Sequence, residues 1–189
     1  MSRAAASLLI ALTVCSCGGA HPPPDTSPTN ATGVVGGRLV MPANADRNTT
    51  ASRVTVAGTR VSAAIDGFGA FVLPNVPAGP LALQFSGNGL EAHADAGDIA
   101  GGETVTLNVR MDGDALRIDS IARVRGDDAT IEGVIEAAGD ALPANTIIVS
   151  GRSVQMPEGR GAGLTPGVRV RVTGTVSAAG IVARELVIL

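Results

Sequence analysis

The sequence predicts an all-β protein: an antiparallel β-sandwich of approximately seven strands, followed by a compact set of five further strands. Three observations carry this prediction. The chain is rich in Val and Thr and has 25 Gly and 11 Pro, a composition typical of strands separated by turns. Apolar and polar residues alternate in short runs that recur about every eight to twelve residues. No segment beyond the N-terminal one shows a convincing helical pattern.

The stretch 65–79 organises the first part of the chain. Asp66-Gly67-Phe68-Gly69 is a turn, Phe71 and Leu73 then lie on one face of a strand, and a second turn follows. Two glycine-containing turns this close force an extended segment between them, because a helix needs roughly ten uninterrupted residues. We expect the following side chains to fill the sandwich core: Phe68, Phe71, Leu73, Val76 and Phe85.

Alternating runs before and after this stretch predict the other strands of the first domain, residues 33–124. Pro42 ends the first of them, the polar segment 44–52 is a loop, and Gly58-Thr59 is a tight reversal. The segment 116–124 is either a last strand or a connecting arm. The other predicted strands are 34–41, 53–57, 60–65, 81–85, 90–94 and 104–111.

The segment 125–128 is interpreted as a break between domains, and residues 127–189 form the second domain. Its most regular strand places Val168, Val170 and Val172 toward a core, while Arg169, Arg171 and Thr173 face water. The five predicted strands are 129–137, 146–149, 152–156, 168–176 and 181–189.

The N-terminus has the pattern of a secretory signal, residues 1–16. Arg3 precedes an apolar run, 4–14, that is too short to cross a hydrocarbon layer of ~30 Å. The run ends at Val14-Cys15-Ser16-Cys17, which resembles the lipobox of bacterial lipoproteins. The resemblance implies cleavage before Cys17 and acylation of its thiol and its new amino group. The alternative is an ordinary secreted protein cleaved between residues 16 and 20.

Lipidation at Cys17 makes the membrane a partner through the lipid anchor, since two or more acyl chains hold a protein where one does not. Residues 17–32 form a proline-rich tether. The segment 21–32, fully extended at ~3.1 Å per residue, reaches about 35–40 Å. Gly18 after the cysteine, rather than Asp, favours the outer membrane under the sorting logic of diderm bacteria. The predicted location is therefore the bacterial cell envelope.

The first domain resembles the carboxypeptidase regulatory-like domain over about 50 residues, roughly 33–85. The matching pattern is Val54-Thr55-Val56-Ala57-Gly58-Thr59, then Ile65-Asp66, then Gly69-Ala70-Phe71-Val72-Leu73-Pro74-Asn75-Val76-Pro77-Ala78-Gly79. The resemblance implies a transthyretin-like β-sandwich of about seven strands, usually an accessory module without an active site.

The second domain resembles a small all-β domain of unassigned function in bacterial envelope proteins. The matching pattern is Leu164-x-Pro166-Gly167, then alternating Val to Gly174, then Gly180-Ile181-Val182-Ala183 and Leu186. The resemblance implies an OB-like five-stranded barrel. Nucleic acid is not an expected partner, because single-strand readers stack bases on aromatic rings and no Phe, Tyr, Trp or His follows Asp127. The mature chain, with 13 basic and 17 acidic residues, also has a net charge of −4.

No catalytic, cofactor or metal site is predicted. His93 with Asp95 and Asp98 resembles a catalytic or metal group, but two ligands on one strand face without a third are more often a solvated edge. Calcium is a second alternative, since it prefers several oxygen ligands, but Asp residues are also favoured at turns. The residues considered for it are Asp112, Asp114, Asp127 and Asp128.

The expected function is that of a membrane-anchored cell-envelope lipoprotein of structural or protein-binding type, with no enzyme activity. The alternative is a carbohydrate-binding accessory module at the cell surface. Sugar platforms generally use exposed Trp or Tyr, and the chain has neither. An enzyme would require converging polar side chains in a deep pocket.

Overall fold

The computed structural model describes residues 31–41, 52–87, 90–112, 115–139, 142–160 and 163–189. The predictions for the signal segment, for Cys17, for the tether up to residue 30, for the loop 44–51 and for Asp114 lie outside these residues. The described chain is all-β, as predicted. Its strands are β1 (Thr32–Val40), β2 (Arg53–Val56), β3 (Ser62–Ala64), β4 (Ala70–Pro77), β5 (Gly79–Gly87), β6 (Leu90–Ile99), β7 (Thr104–Asp112), β8 (Ala115–Arg125), β9 (Asp128–Ala138), β10 (Thr146–Val149), β11 (Arg152–Gln155), β12 (Arg169–Ser177) and β13 (Gly180–Ile188).

The strands form two sheets. One has nine strands in the order β10-β11-β13-β12-β9-β8-β7-β1-β4, and the other has four in the order β3-β2-β5-β6. The sandwich consists of this second sheet packed on the β8-β7-β1-β4 part of the first. It holds eight strands, one of them the three-residue β3. Its pairs are antiparallel except β1 with β7, which run parallel.

The sandwich core is aliphatic around two phenylalanines. Phe71 and Phe85 meet edge to face with ring centroids 5.6 Å apart, and Leu73 and Val76 are fully buried beside them. These placements confirm the sequence prediction. The prediction for Phe68 is wrong, because its side chain is 78% exposed.

The turn between β3 and β4 explains why Phe68 faces outward. Gly69 has a φ of 83° and donates its backbone N–H to the Asp66 carbonyl at 2.9 Å. A Cβ at Gly69 would collide with the Leu39 carbonyl oxygen of β1. The turn therefore packs closely against β1, and its outermost residue projects into solvent.

The second body is a closed five-stranded barrel, as predicted. It closes because β10 pairs with β9 as well as with β11, which completes the circuit β9-β10-β11-β13-β12. Val170 and Val172 are fully buried in its core, with Val168 packed at the edge. Arg169, predicted to face water, is half-buried and contacts the sandwich.

The segment 125–128, interpreted from sequence as a break between domains, is the tight turn of a hairpin. Arg125 pairs with Asp128, and the ladder continues to the pair Ile121 with Glu132. The segment 116–124 is therefore a last sandwich strand that also pairs with the barrel. Ile118 and Ile121 of β8 pack against the sandwich core, whereas Ala122 and Val124 pack in the barrel core. One strand serves two cores.

Beyond the hairpin, the two bodies approach closely at Gly133 of β9. A Cβ at this position would lie 3.2 Å from the Cβ of Ser120 and would collide with the Ser150 hydroxyl. The absence of a side chain at Gly133 thus lets the barrel pack directly on β8.

A buried ion pair closes one side of the sandwich. The Arg123 guanidinium lies 3.3 Å from the Glu103 carboxylate, and the two side chains are 22% and 11% exposed. Arg123 also donates to the Asp98 carbonyl at 2.5 Å and to the Ala96 carbonyl. Glu103 accepts a hydrogen bond from the Ala100 N–H at 2.7 Å. Because β6 is an edge strand, these bonds satisfy carbonyls that have no strand partner.

Candidate binding cleft

A polar cleft of about 730 Å³ lies between the outer face of the sandwich sheet and the barrel. Its volume is in the range of small-molecule sites, which form preferentially where two bodies meet. Seven charged residues line it: Arg38, Arg110, Arg117, Arg169, Asp112, Asp119 and Glu136. We call this site the arginine cleft.

The strand registers place these side chains on one face. Arg38 of β1 is level with Asn108 of β7, and Arg110 of β7 directly opposes Arg117 of β8. Residues two apart on a strand share a face, so Asn108 and Arg110 point the same way. Arg169 reaches the same space from β12 of the barrel.

Asp119 orders two of the four arginines. It is the extra residue of a bulge in β8, where Asn108 pairs with Ser120 and Val109 pairs with Ile118. Its carboxylate Oδ2 accepts a hydrogen bond from Arg110 Nε at 2.6 Å, and its backbone carbonyl accepts one from Arg169 at 3.2 Å. The bulged residue Asp119 therefore accepts hydrogen bonds both from Arg110 of the sandwich and from Arg169 of the barrel.

The other three cleft arginines form no ion pair with a described residue. Among the described residues, Arg110 is the only cleft arginine with a carboxylate within 4.0 Å. Arg38 donates from Nε to the Phe68 carbonyl at 3.0 Å, and Arg117 makes no hydrogen bond to a described residue. The cleft thus presents guanidinium groups whose donors are available to a ligand.

An exposed aromatic ring extends the cleft. A neighbouring cavity of about 560 Å³ shares Arg38 and Val40 with the cleft and has Phe68 on its wall. The backbone of the turn that carries the ring is hydrogen-bonded, because the Asp66 Oδ1 accepts from the N–H groups of Phe68 and Ala70, both at 2.8 Å.

Asp66→Ala is expected to lower the free energy of unfolding by about 1–2 kcal/mol, because two backbone donors lose their carboxylate acceptor. Asp66→Asn is the matched control and should retain more than half of this stability, since its side-chain oxygen still accepts. Urea unfolding of both variants measures the difference. Equal losses in the two variants would contradict the role given to the carboxylate.

The residues singled out from sequence do not converge. His93 and Asp95 are exposed on β6, and the Asp95 carboxylate accepts the Gly97 N–H at 2.9 Å. Asp128, at the hairpin, pairs with Arg184. Within the described residues, no three His, Cys, Asp or Glu side chains are grouped in a way that holds a metal ion.

The arginine cleft is lined by guanidinium, carboxylate, amide and hydroxyl groups. The described residues that line it include no His or Cys, and its Ser120 is 6% exposed and accepts from Asn108 at 2.9 Å. The described part of the chain also has no helix long and apolar enough to span a membrane.

Sequence reasoning did not single out the four arginines. Each occupies an outward position in an alternating strand, which is also the pattern of a solvated face. They come from four strands, and only the register and the bulge at Asp119 bring them together.

Comparisons of the chain with protein-family models, with curated proteins and with solved structures find no match.

Proposed function

We propose that the protein is a lipid-anchored binding protein of the bacterial cell envelope, in the outer membrane, without catalytic activity. The observation that carries the binding role is the arginine cleft, a charged recess formed jointly by the sandwich and the barrel. The anchor is proposed from the lipobox-like sequence that ends at Cys17.

Cleavage before Cys17 would leave a polar, proline-rich segment between the anchor and β1. Its proline-rich composition is typical of a linker, and we propose that it serves as a spacer. The proposed arrangement presents the two β bodies at a distance from the bilayer and leaves the cleft open to soluble or surface-bound ligands.

Cys17→Ser is expected to abolish labelling of the protein by an alkyne fatty acid and to move the protein from the membrane fraction to the soluble fraction. The reason is that the thiol of Cys17 is the proposed acyl acceptor, and a chain without acyl groups lacks the anchor that would hold it on the membrane. Metabolic labelling followed by in-gel detection measures the first effect, and fractionation measures the second.

Cys15→Ser is the matched control for this experiment. It removes the other thiol of the chain and should leave labelling and membrane association unchanged. Labelling that survives Cys17→Ser, or that is lost in Cys15→Ser, would contradict the proposed anchor site.

A carbohydrate-binding role is the second candidate, and Phe68 favours it. The sequence contains no Trp or Tyr, which argues against a sugar platform, but the phenylalanine expected in the core is 78% exposed beside the cleft. An exposed ring on a hydrogen-bonded turn offers the apolar surface that a sugar ring can stack on. Affinity gel electrophoresis that shows retardation by a glycan, lost in Phe68→Ala, would support this role over binding of a protein partner.

A further inference from the structure

The arginine cleft has a small excess of positive charge, with four arginines and three carboxylates in its lining. Four of the 14 basic residues line it, although the net charge of the sequence is −3. Arg110 and Arg117 oppose each other directly across two antiparallel strands, an arrangement that is unfavourable for like charges. Of these two arginines, only Arg110 contacts Asp119, and the guanidinium of Arg117 pairs with no carboxylate of the described residues.

Guanidinium groups match one class of ligand group best. Each presents planar, paired N–H donors that fit the two oxygens of a carboxylate or phosphate. Arg38 and Arg117 are exposed side chains on β1 and β8, with β7 between them. Two anionic groups of one ligand, spaced across the width of β7, would satisfy both.

The acidic residues of the cleft restrict further the class of ligand that it can bind. Asp112 and Glu136 lie in the same lining as the arginines, so a ligand that offers anionic groups without hydrogen-bond donors would be repelled by them. A ligand with hydroxyl donors between its anionic groups would satisfy these carboxylates instead. Asn108 and Ser150 add neutral polar groups to the lining. Spaced carboxylates separated by hydroxyls are the chemistry of an acidic saccharide.

Phe68 supplies the surface for the ring itself. The two faces of a sugar ring carry C–H groups, which are attracted to the negative face of an aromatic ring. Arg38 links this surface to the cleft, since its Nε donates to the Phe68 carbonyl and its side chain lines both cavities.

We infer that the arginine cleft binds an acidic saccharide, with its carboxylates on Arg38 and Arg117 and a sugar ring against Phe68. This inference rests on the proposed binding function. An acidic peptide fits less well, because it has few hydroxyl donors for Asp112 and Glu136. The cleft walls are also sheet faces, whose backbone groups already pair within the sheet and cannot bind an added strand.

The experiment uses the purified full chain carrying Cys17→Ser, so that binding is read independently of lipid anchoring. Three probes are compared. Polygalacturonate is an acidic saccharide, dextran is a neutral saccharide, and polyglutamate is an acidic peptide. Polygalacturonate is expected to bind, with an affinity that falls as salt is added. Arg38→Gln and Arg117→Gln should each raise the dissociation constant about tenfold, and Phe68→Ala should raise it about fivefold.

Arg60→Gln is the matched control. It removes the same charge from an exposed arginine outside the cleft lining and should change the dissociation constant less than about twofold. Unfolding midpoints of all variants verify that each protein is folded; the three cleft side chains are exposed, so the midpoints should stay close to that of the parent.

Three outcomes would overturn the inference. If Arg60→Gln weakens polygalacturonate binding as much as the cleft variants do, the net charge of the surface, and not the cleft, attracts the probe. If dextran binds with the same dissociation constant as polygalacturonate, the cleft does not recognise carboxylates. Failure of polygalacturonate to bind, or binding of polyglutamate that depends on the arginines and not on Phe68, would exclude the saccharide. Fatty-acid labelling at Cys17 is a separate readout, so none of these results bears on the anchor.

Discussion

The Phe71→Ala substitution is expected to lower the free energy of unfolding by about 3–5 kcal/mol. Phe71 is 3% exposed and contacts Phe85 edge to face, in a core that otherwise holds aliphatic side chains. Truncation removes the largest side chain that β4 buries and leaves a cavity between the two sheets. Since domains are stable by only about 5–15 kcal/mol in total, this loss is close to unfolding the sandwich.

The chain offers a matched control three residues away. Phe68→Ala deletes the same atoms from a side chain that is 78% exposed, so its effect on stability should stay within about 0.5 kcal/mol. Urea unfolding of the two variants, followed by circular dichroism, measures both changes. Comparable destabilisation by the two substitutions would mean that Phe68 packs in the core, as the sequence suggested, and that the turn is placed differently.

Arg123→Ala is expected to destabilise the protein by about 2–4 kcal/mol. The substitution leaves the Glu103 carboxylate without its cation, and breaking one partner of a buried pair is strongly unfavourable. It also leaves the Ala96 and Asp98 carbonyls of β6 without a donor. The estimate lies below the range for a fully buried pair because the Arg123 side chain is 22% exposed.

A double-mutant cycle separates the ion pair from the carbonyl contacts. Glu103→Gln removes the charge of the partner, and the cycle with Arg123→Ala should give a coupling energy of about 1 kcal/mol or more. Arg171→Ala is the control, since Arg171 and Glu132 form a pair with side chains 48% and 26% exposed, and its effect should be below about 1 kcal/mol. Larger destabilisation by Arg171→Ala than by Arg123→Ala would contradict the importance of burial.

Strand positions were predictable because half-buried strands impose alternation on the sequence. The regular pattern at 168–176 corresponds to β12, and β10 has the bounds that its apolar run predicted. The strand predicted at 90–94 continues to Ile99, because Ala92, Ala94 and Ala96 maintain the buried face. Alternation identifies a buried face, but it does not identify the neighbouring strand. The parallel pairing of β1 with β7 and the pairing of β8 with β9 could therefore not be predicted from the alternation of residues.

The arginine cleft was less accessible to sequence reasoning than the fold. Arg38, Arg117 and Arg169 are separated by long stretches of chain, and an outward arginine has the same local pattern whether it contacts solvent or a ligand. Phe68 was assigned to the core because an apolar ring is usually buried, while the turn geometry at Gly69 decides otherwise. The prediction of lipidation at Cys17 concerns a residue outside the described chain and remains a prediction.

The hairpin that joins the two bodies has a consequence for affinity. β8 continues into β9 through a tight turn, and Gly133 lets the barrel pack closely on Ser120. The sandwich wall and the barrel wall of the cleft are therefore joined without a flexible linker and cannot move apart. A ligand therefore meets a recess whose width is already set, and little backbone entropy is lost on association. If the cleft binds an acidic saccharide as proposed, the spacing of the anionic groups, more than their number, is expected to decide which ligands bind.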